Sequence, residues 1–263
     1  MNYYKAIIQY DGTNYFGFQW QKGIVTVQND LNLALGKILS GKISTMSASR
    51  TDTGVHAIEQ IVKLTTEYEI ESDLFLIQLN QILPLQIRCV SFMPCEASYQ
   101  PTTGHKSKEY RYLFTTRLKM TCNDQKFISN HPYQLDLELM KECARMMVGQ
   151  HDFRNFCSAG SNVKTTIREI LFCEVSEVNP HTVLPQSDLF IIHPDLRQCY
   201  QLRIEGTGFL KQMVRHLVSA LWLVGRGKLS LDQFSYILNG PQKTKRLWKV
   251  ASPRGLYLYK FKS

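Results

Sequence analysis

Ser47-Ala48-Ser49-Arg50-Thr51-Asp52-Thr53-Gly54-Val55-His56-Ala57 closes one predicted strand and leads into the next. Arg50 and Asp52 stand two residues apart, so in an extended chain their side chains project to the same side. Gly54 lets the backbone turn tightly just beyond the carboxylate. An aspartate at a strand end with an arginine beside it stays ionised at neutral pH. Spacing leaves two readings open: a carboxylate held for chemistry, or an Asx turn with a surface ion pair. The turn is the commoner fate of such an aspartate, and spacing by itself favours it.

Working outward, residues 3–10 read as a strand that ends at the turn Asp11-Gly12-Thr13. Thr26 serves as an N-cap, and Val27, Leu31, Ala34, Leu35 and Ile38 follow it at helical spacing. Strands are expected over 42–49, 57–65 and 86–95, with a helix over 72–82 that stops before Pro84. The second half varies this order. A strand over 108–115 precedes a helix over 136–148, then strands over 167–178 and 199–205. A strongly apolar helix over 209–224 begins after Gly206-Thr207-Gly208 and ends at Gly225; a short helix over 231–238 and a strand over 255–261 finish the chain. Helices between mainly hairpin-like strands indicate α+β halves with antiparallel or mixed sheets. Ser98–Ser107, with Pro101 and Gly104, is the natural linker, so the halves are expected at 1–105 and 106–263. Residues 179–198, with Pro180, Pro185 and Pro194, read as a surface excursion.

The chain has 263 residues, enough for two ordinary domains, and is 44% hydrophobic, enough to build a core. It contains no apolar run of about 18 residues and no apolar leader at its start, so neither a spanning helix nor a secretory signal is expected. The seven cysteines form no C-x-x-C pair, a pattern that fits buried thiols in a reducing cytoplasm rather than a disulfide framework or zinc site. The seven histidines form no metal-binding spacing either, which argues against metal-based chemistry.

Net charge is +9, and its distribution is uneven: residues 1–105 carry 7 basic against 9 acidic residues, and residues 106–263 carry 24 against 13. Lys106, Lys108, Arg111, Arg117 and Lys119 oppose only Glu109, and the tail from Lys243 to Lys262 holds seven basic residues and no acid. Such a surface gathers phosphate chains by releasing their counterions, although a solvated basic face has the same composition. The interleaved Tyr110, Tyr112, Trp248, Tyr257 and Tyr259 tilt the balance toward RNA, because rings can stack on bases; they also suit the buried side of strands.

The identity of the quoted string goes further than its spacing. It resembles the signature around the catalytic aspartate of TruA-type tRNA pseudouridine synthases, Gly-Arg-Thr-Asp-x-Gly-Val-His-Ala, with seven of eight fixed letters present and Ser49 in place of Gly. Further family-like segments follow in order. They are Tyr10-Asp11-Gly12-Thr13, Gly17-Phe18-Gln19-Trp20-Gln21, Val27-Gln28, Asn80-Gln81-Ile82-Leu83-Pro84 and Lys108-Glu109-Tyr110-Arg111-Tyr112. His151-Asp152-Phe153, Thr166-Ile167-Arg168, Gly208-Phe209-Leu210, Met213-Val214-Arg215 and Gly255-Leu256-Tyr257-Leu258 complete a resemblance that spans nearly the whole chain. Phe18 stands where the family has Trp, and Tyr99-Gln100-Pro101-Thr102 replaces its Phe-x-Ala-Arg, which removes one arginine.

The resemblance implies an α+β fold of two ferredoxin-like-derived halves with mainly antiparallel or mixed sheets, forming a pseudouridine-synthase core around a central cleft. The implied reaction isomerises uridine within tRNA, at roughly positions 38 to 40 of the anticodon arm, by reading shape more than sequence. By the same resemblance Asp52 is the catalytic carboxylate, as nucleophile or base. Arg215 is its basic partner, Tyr110 stacks on the target base and assists proton transfer, and Leu256 walls the base pocket. Arg50 holds the space vacated when the target nucleotide leaves its stack, or the flanking phosphate. His56 stays outside the catalytic set as a structural loop histidine, and Tyr112 is the core member of its pair. No cofactor and no metal is implied. The expected partners are tRNA and a second copy of the chain in a homodimer, with no DNA and no membrane, in the cytoplasm. A synthase acting on another RNA site and an RNA-binding module without catalysis are the alternatives. A two-carboxylate glycosidase lacks a second acid near Asp52.

Overall fold

The computed structural model describes residues 1–160, 163–240 and 246–262, so Lys243 and Lys245 of the basic tail lie outside the described residues. The chain divides into two units. One comprises Met1–Lys106, Ser187–Phe190 and the chain from Tyr257 onward; the other comprises Ser107–Gln186 and Ile191–Leu256. Both have an α+β architecture with mainly antiparallel pairing, as the strand–helix alternation of the sequence predicts.

In the first unit the elements run β1 Asn2–Tyr10, α1 Val27–Ile38, β2 Ile43–Ser47, β3 His56–Thr66, α2 Ser72–Ile82 and β4 Ile87–Pro94. Strand β1 lies between β3 and β4, antiparallel to both. Its alternating burial puts Tyr4, Ala6, Ile8 and Tyr10 into the core. Thr26 caps α1 by accepting from the Asn29 amide, as predicted, and Val27, Leu31, Ala34 and Leu35 form the buried face. Helix α2 is docked by a side chain on its last turn. The Asn80 amide donates to the Cys89 carbonyl at 2.7 Å and accepts from the Cys89 amide at 2.9 Å, which extends the β4 ladder through a side chain.

In the second unit the elements are β5 Ser107–Thr115, α3 Asp124–Phe127, β6 Ser129–Asn130, α4 Leu137–Met146, β7 Gly149–Asp152, β8 Ile167–Val178, α5 Pro180–Val183, β9 Cys199–Gly206, α6 Met213–Gly225 and α7 Leu231–Asn239. The antiparallel order is β5-β9-β8-β7, with β6 parallel to β5. Helix α6 is buried on nearly every side: of its residues only Leu223 escapes full burial. The short elements α3, β6, β7 and α5 carry no periodic signal of their own.

Three expectations need correction. The apolar helix begins at Met213, not near 209, because Gln212 sits in the left-handed region at φ 59°. The segment 179–198 is not a mere surface excursion. It contains α5 and buries Val183, Leu184, Leu189, Phe190, Ile192 and Leu196, apolar residues whose spacing is too irregular for a periodic reading. The last strand, β10 Leu256–Lys262, pairs parallel with β3 through Tyr257 opposite His56 and Leu258 opposite Ala57. Its side of the chain from Tyr257 onward therefore belongs with the first unit, whereas the division at 105/106 had assigned it to the second half.

Candidate active site

The loop carrying Asp52 begins where β2 runs out. Ala48 still donates to the Ile61 carbonyl at 2.8 Å, but the next rung is made by a side chain: Gln60 donates to the Ser49 carbonyl at 2.7 Å and accepts from the Ser49 amide at 3.3 Å. The chain then leaves the sheet. Arg50 is exposed, Thr51 is buried, and Asp52 is half-buried. The Thr51 hydroxyl and the fully buried Tyr10 hydroxyl share a hydrogen bond of 2.7 Å, which anchors the loop from beneath. Beyond Asp52 the backbone turns, with Val55 donating to the Asp52 carbonyl at 3.2 Å and Gly54 at φ 76°.

A second loop is laid over the first. Gly54 donates to the Tyr15 carbonyl at 3.1 Å and Phe18 to the Thr51 carbonyl at 3.3 Å. Gly17 lies between them at φ 92°, and a Cβ on it would approach the Thr51 carbonyl oxygen to 2.5 Å. No other residue type permits that contact. The Tyr15 hydroxyl donates to Asp30 on α1 at 2.9 Å, and the Gln28 carboxamide accepts from the Trp20 amide at 2.9 Å and from the Gln19 side chain at 2.8 Å. The Asp52 loop is thus held by backbone bonds, two glycines and a buried tyrosine, with little freedom left to its backbone.

His56, the first residue of β3, is fully buried. Its Nδ1 lies 3.0 Å from the Gly12 amide, which donates to it, and 3.2 Å from the Asp11 carboxylate. Its ring stacks on Tyr257 with centroids 4.9 Å apart and meets Phe190 edge-on at 6.2 Å. Burial pushes the Asp11 carboxyl up, but His56 and Thr13 beside it outweigh that and leave it below its ordinary value. His56 is therefore a packing and turn-setting residue at the base of both loops.

The remaining predicted residues lie in the second unit. Tyr110 on β5 is buried and meets Phe209 edge-on at 5.0 Å, an arrangement aromatic rings favour. Tyr112, two residues on, is fully buried and donates to the Ser252 carbonyl at 2.9 Å; burial, partly offset by Ser129 and Arg215, pushes its hydroxyl well above the ordinary tyrosine range. Arg215 in the first turn of α6 is buried, and its Nε donates to the Ala251 carbonyl at 2.7 Å. Segment 251–256 is thereby tied to α6 through Arg215 and to β5 through Tyr112, and at its end Leu256 is buried as β10 begins. This unit brings Arg215 and the Leu256 segment together. Asp52 and Arg50 belong to the first unit.

Sequence reasoning missed a polar chain beside Arg215. Trp248 donates to His216 Nδ1 at 3.3 Å, and His216 Nε2 lies 2.9 Å from the Ser158 hydroxyl, which bonds in turn to the Gln212 carboxamide. Nothing in the spacing of these residues signals their meeting. Among the described residues no group of three or more His, Cys, Asp or Glu could hold a metal ion, and no helix is long and apolar enough to cross a membrane.

Comparison with known proteins adds an independent finding. A family model described as tRNA pseudouridine synthase matches residues 6–100 and 143–262. A protein of Listeria innocua named tRNA pseudouridine synthase A is 33% identical over 261 residues, covering 99% of this chain and 98% of the relative. One of the same name from Thermoanaerobacter sp. is 34% identical over 254 residues, covering 97% and 96%. A tRNA pseudouridine synthase A 2 of Desulfotalea psychrophila is 36% identical over 269 residues, covering 98% and 97%.

Proposed function

The chain belongs to the tRNA pseudouridine synthase family and isomerises uridine to pseudouridine in tRNA, and from that premise we propose that it acts on the anticodon arm with Asp52 as its catalytic carboxylate. In this reaction the C1′–N1 bond of the uridine breaks and a C1′–C5 bond forms. The proton lost from C5 is matched by one gained at N1, so oxidation state and composition are unchanged. The protein must supply an ionised carboxylate and a route for that proton. Asp52 attacks as nucleophile or acts as base. Tyr110 stacks on the base and serves the proton transfer. Arg215 offsets the charge of Asp52, Leu256 walls the uracil, and Arg50 meets the strand from which the nucleotide has turned out.

The observation that carries this reading is the construction of the Asp52 loop. Its backbone is fixed from below by Tyr10 and from above by Gly17 and Gly54, while Asp52 itself remains partly open and Arg50 exposed. A mere Asx turn has no need of such support. The target uridines are at roughly positions 38 to 40, in an arm recognised by shape and phosphates. We further propose that the protein acts as a homodimer in the cytoplasm, a compartment that suits seven cysteines none of which is in a disulfide.

Incubating the purified protein with an unmodified tRNA transcript and mapping pseudouridine tests the assignment. Product confined to the anticodon arm, and lost with Asp52→Ala, is the expected result; product elsewhere in the tRNA overturns the site. Sedimentation equilibrium reads the dimer.

A further inference from the structure

The loop over Asp52 presents aromatic side chains outward. Phe16 is 57% exposed and Trp20 is 51% exposed, with Ile24 and Val25 also open in the same loop. Large rings left in water are costly wherever the chain has the option of burying them, and here Tyr15 and Phe18, on either side, are buried. Nor do these rings hang on a loose segment. Phe16 donates to the Val25 carbonyl at 3.0 Å, closing the loop, and the Trp20 backbone is clamped by Gln28, which is itself held by Thr45 at 3.1 Å. Gly17, between Phe16 and Phe18, rests directly on the Thr51–Asp52 backbone. The backbone that carries the exposed rings is therefore fixed against the catalytic loop; Lys22, two residues beyond Trp20, is exposed, and so is Arg50 on the Asp52 loop itself.

We propose that Phe16 and Trp20 form a stacking platform for unpaired nucleotides that flank the target uridine in tRNA, an inference that rests on the isomerase reading above. A nucleotide that turns out of a stack leaves its neighbours with uncovered faces. A ring carried on the loop laid over the Asp52 backbone covers such a face whatever the base, since every base has one, and the exposed cations Lys22 and Arg50 meet the phosphates. This surface takes single-stranded RNA, and it makes binding near Asp52 tolerant of sequence.

The test uses the full chain with an unmodified tRNA transcript. Phe16→Ala and Trp20→Ala are each expected to weaken tRNA binding by about tenfold. Phe16→Tyr and Trp20→Phe, which keep a ring, restore it. In the wild type tRNA is expected to quench tryptophan emission, and that quench is expected to disappear in Trp20→Phe although Trp222 and Trp248 remain. This second readout stands even if an alanine variant fails to fold. Unaltered tRNA affinity in both alanine variants, a quench that persists in Trp20→Phe, or alanine variants that lose only self-association would each overturn the platform. A wild-type protein that makes no pseudouridine in tRNA refutes the isomerase reading instead, so the two failures are distinguishable.

Discussion

The indole N–H of Trp248 donates to Nδ1 of His216 at 3.3 Å, and this one bond orients a whole chain of polar groups. Indole nitrogen only donates, so Nδ1 must carry a lone pair and the imidazole proton sits on Nε2. That proton points to the Ser158 hydroxyl 2.9 Å away, which leaves the hydroxyl hydrogen for the Gln212 carboxamide oxygen. Gln212 is held in the left-handed region, a conformation that costs roughly 1 kcal/mol for a residue with a side chain, and helix α6 begins just after it. The neutral form of His216 therefore supports the helix start from which Arg215 projects.

An acid-labile second unit follows. Burial, with Arg246 and Arg215 nearby, lowers His216 to about 4, and burial with Arg226 nearby lowers His131 to about 4. The unfolded chain titrates these groups near 6.5, so between the two values the unfolded state binds more protons and stability falls as pH falls. Stability from these groups is complete above about pH 6.5 and declines progressively toward pH 4. Urea midpoints at pH 7.5, 6 and 5 are expected to decrease in that order, with a shallower decrease for His216→Asn. A midpoint independent of pH over this range contradicts the neutral assignment.

Gly17→Ala is expected to destabilise the first unit by on the order of 2 kcal/mol, because it combines a positive φ with a forced approach to the Thr51 carbonyl. Isomerase activity should fall even where the protein remains folded, since relief of that approach displaces the Asp52 loop. Urea unfolding and single-turnover rates measured on the same preparation separate the two effects.

Asp52→Ala is expected to reduce pseudouridine formation by at least about two orders of magnitude while tRNA is still bound. Asp52 is half-buried and Thr51, not Asp52, anchors the loop to Tyr10, so the fold should survive the change. Activity equal to wild type would remove Asp52 from the mechanism.

Arg215→Lys keeps the charge and removes the fork that donates to Ala251. It leaves a carbonyl in a buried setting without that donor, at a cost of about 1–3 kcal/mol, and segment 251–256 is loosened. The expected outcome is a lower unfolding midpoint together with a lower single-turnover rate. Arg215→Met, which also removes the charge, should lose further activity at similar stability. Equal activity of the two variants would argue that only the tether matters.

Much of the fold was legible in the chain itself. The period-two burial of β1, the cap at Thr26 and the stop before Pro84 are written in neighbouring residues, and the structure places β1, α1 and α2 where they indicate. The string around Asp52 was equally local, and with the other motifs it pointed to the family to which the chain belongs. Short elements such as α3 and β7 escaped, because four residues carry too little periodicity to register.

Other features depended on residues far apart in sequence. Apolar spacing around 209 was compatible with a helix, yet the bond from Ser158 to Gln212 and that from the Ser158 amide to the Lys211 carbonyl delay its start to Met213. His56 looked like a loop histidine until Phe190 and Tyr257 closed over its ring. Sequence alone determined the longer elements and the family, since periodicity, caps and signatures are properties of adjacent residues. Tertiary structure alone decided which proton His216 carries, which carbonyl Arg215 grips and which rings stay in water. Each of those depends on the partner a side chain meets after burial, and a free energy of contact between distant residues leaves no trace in local spacing.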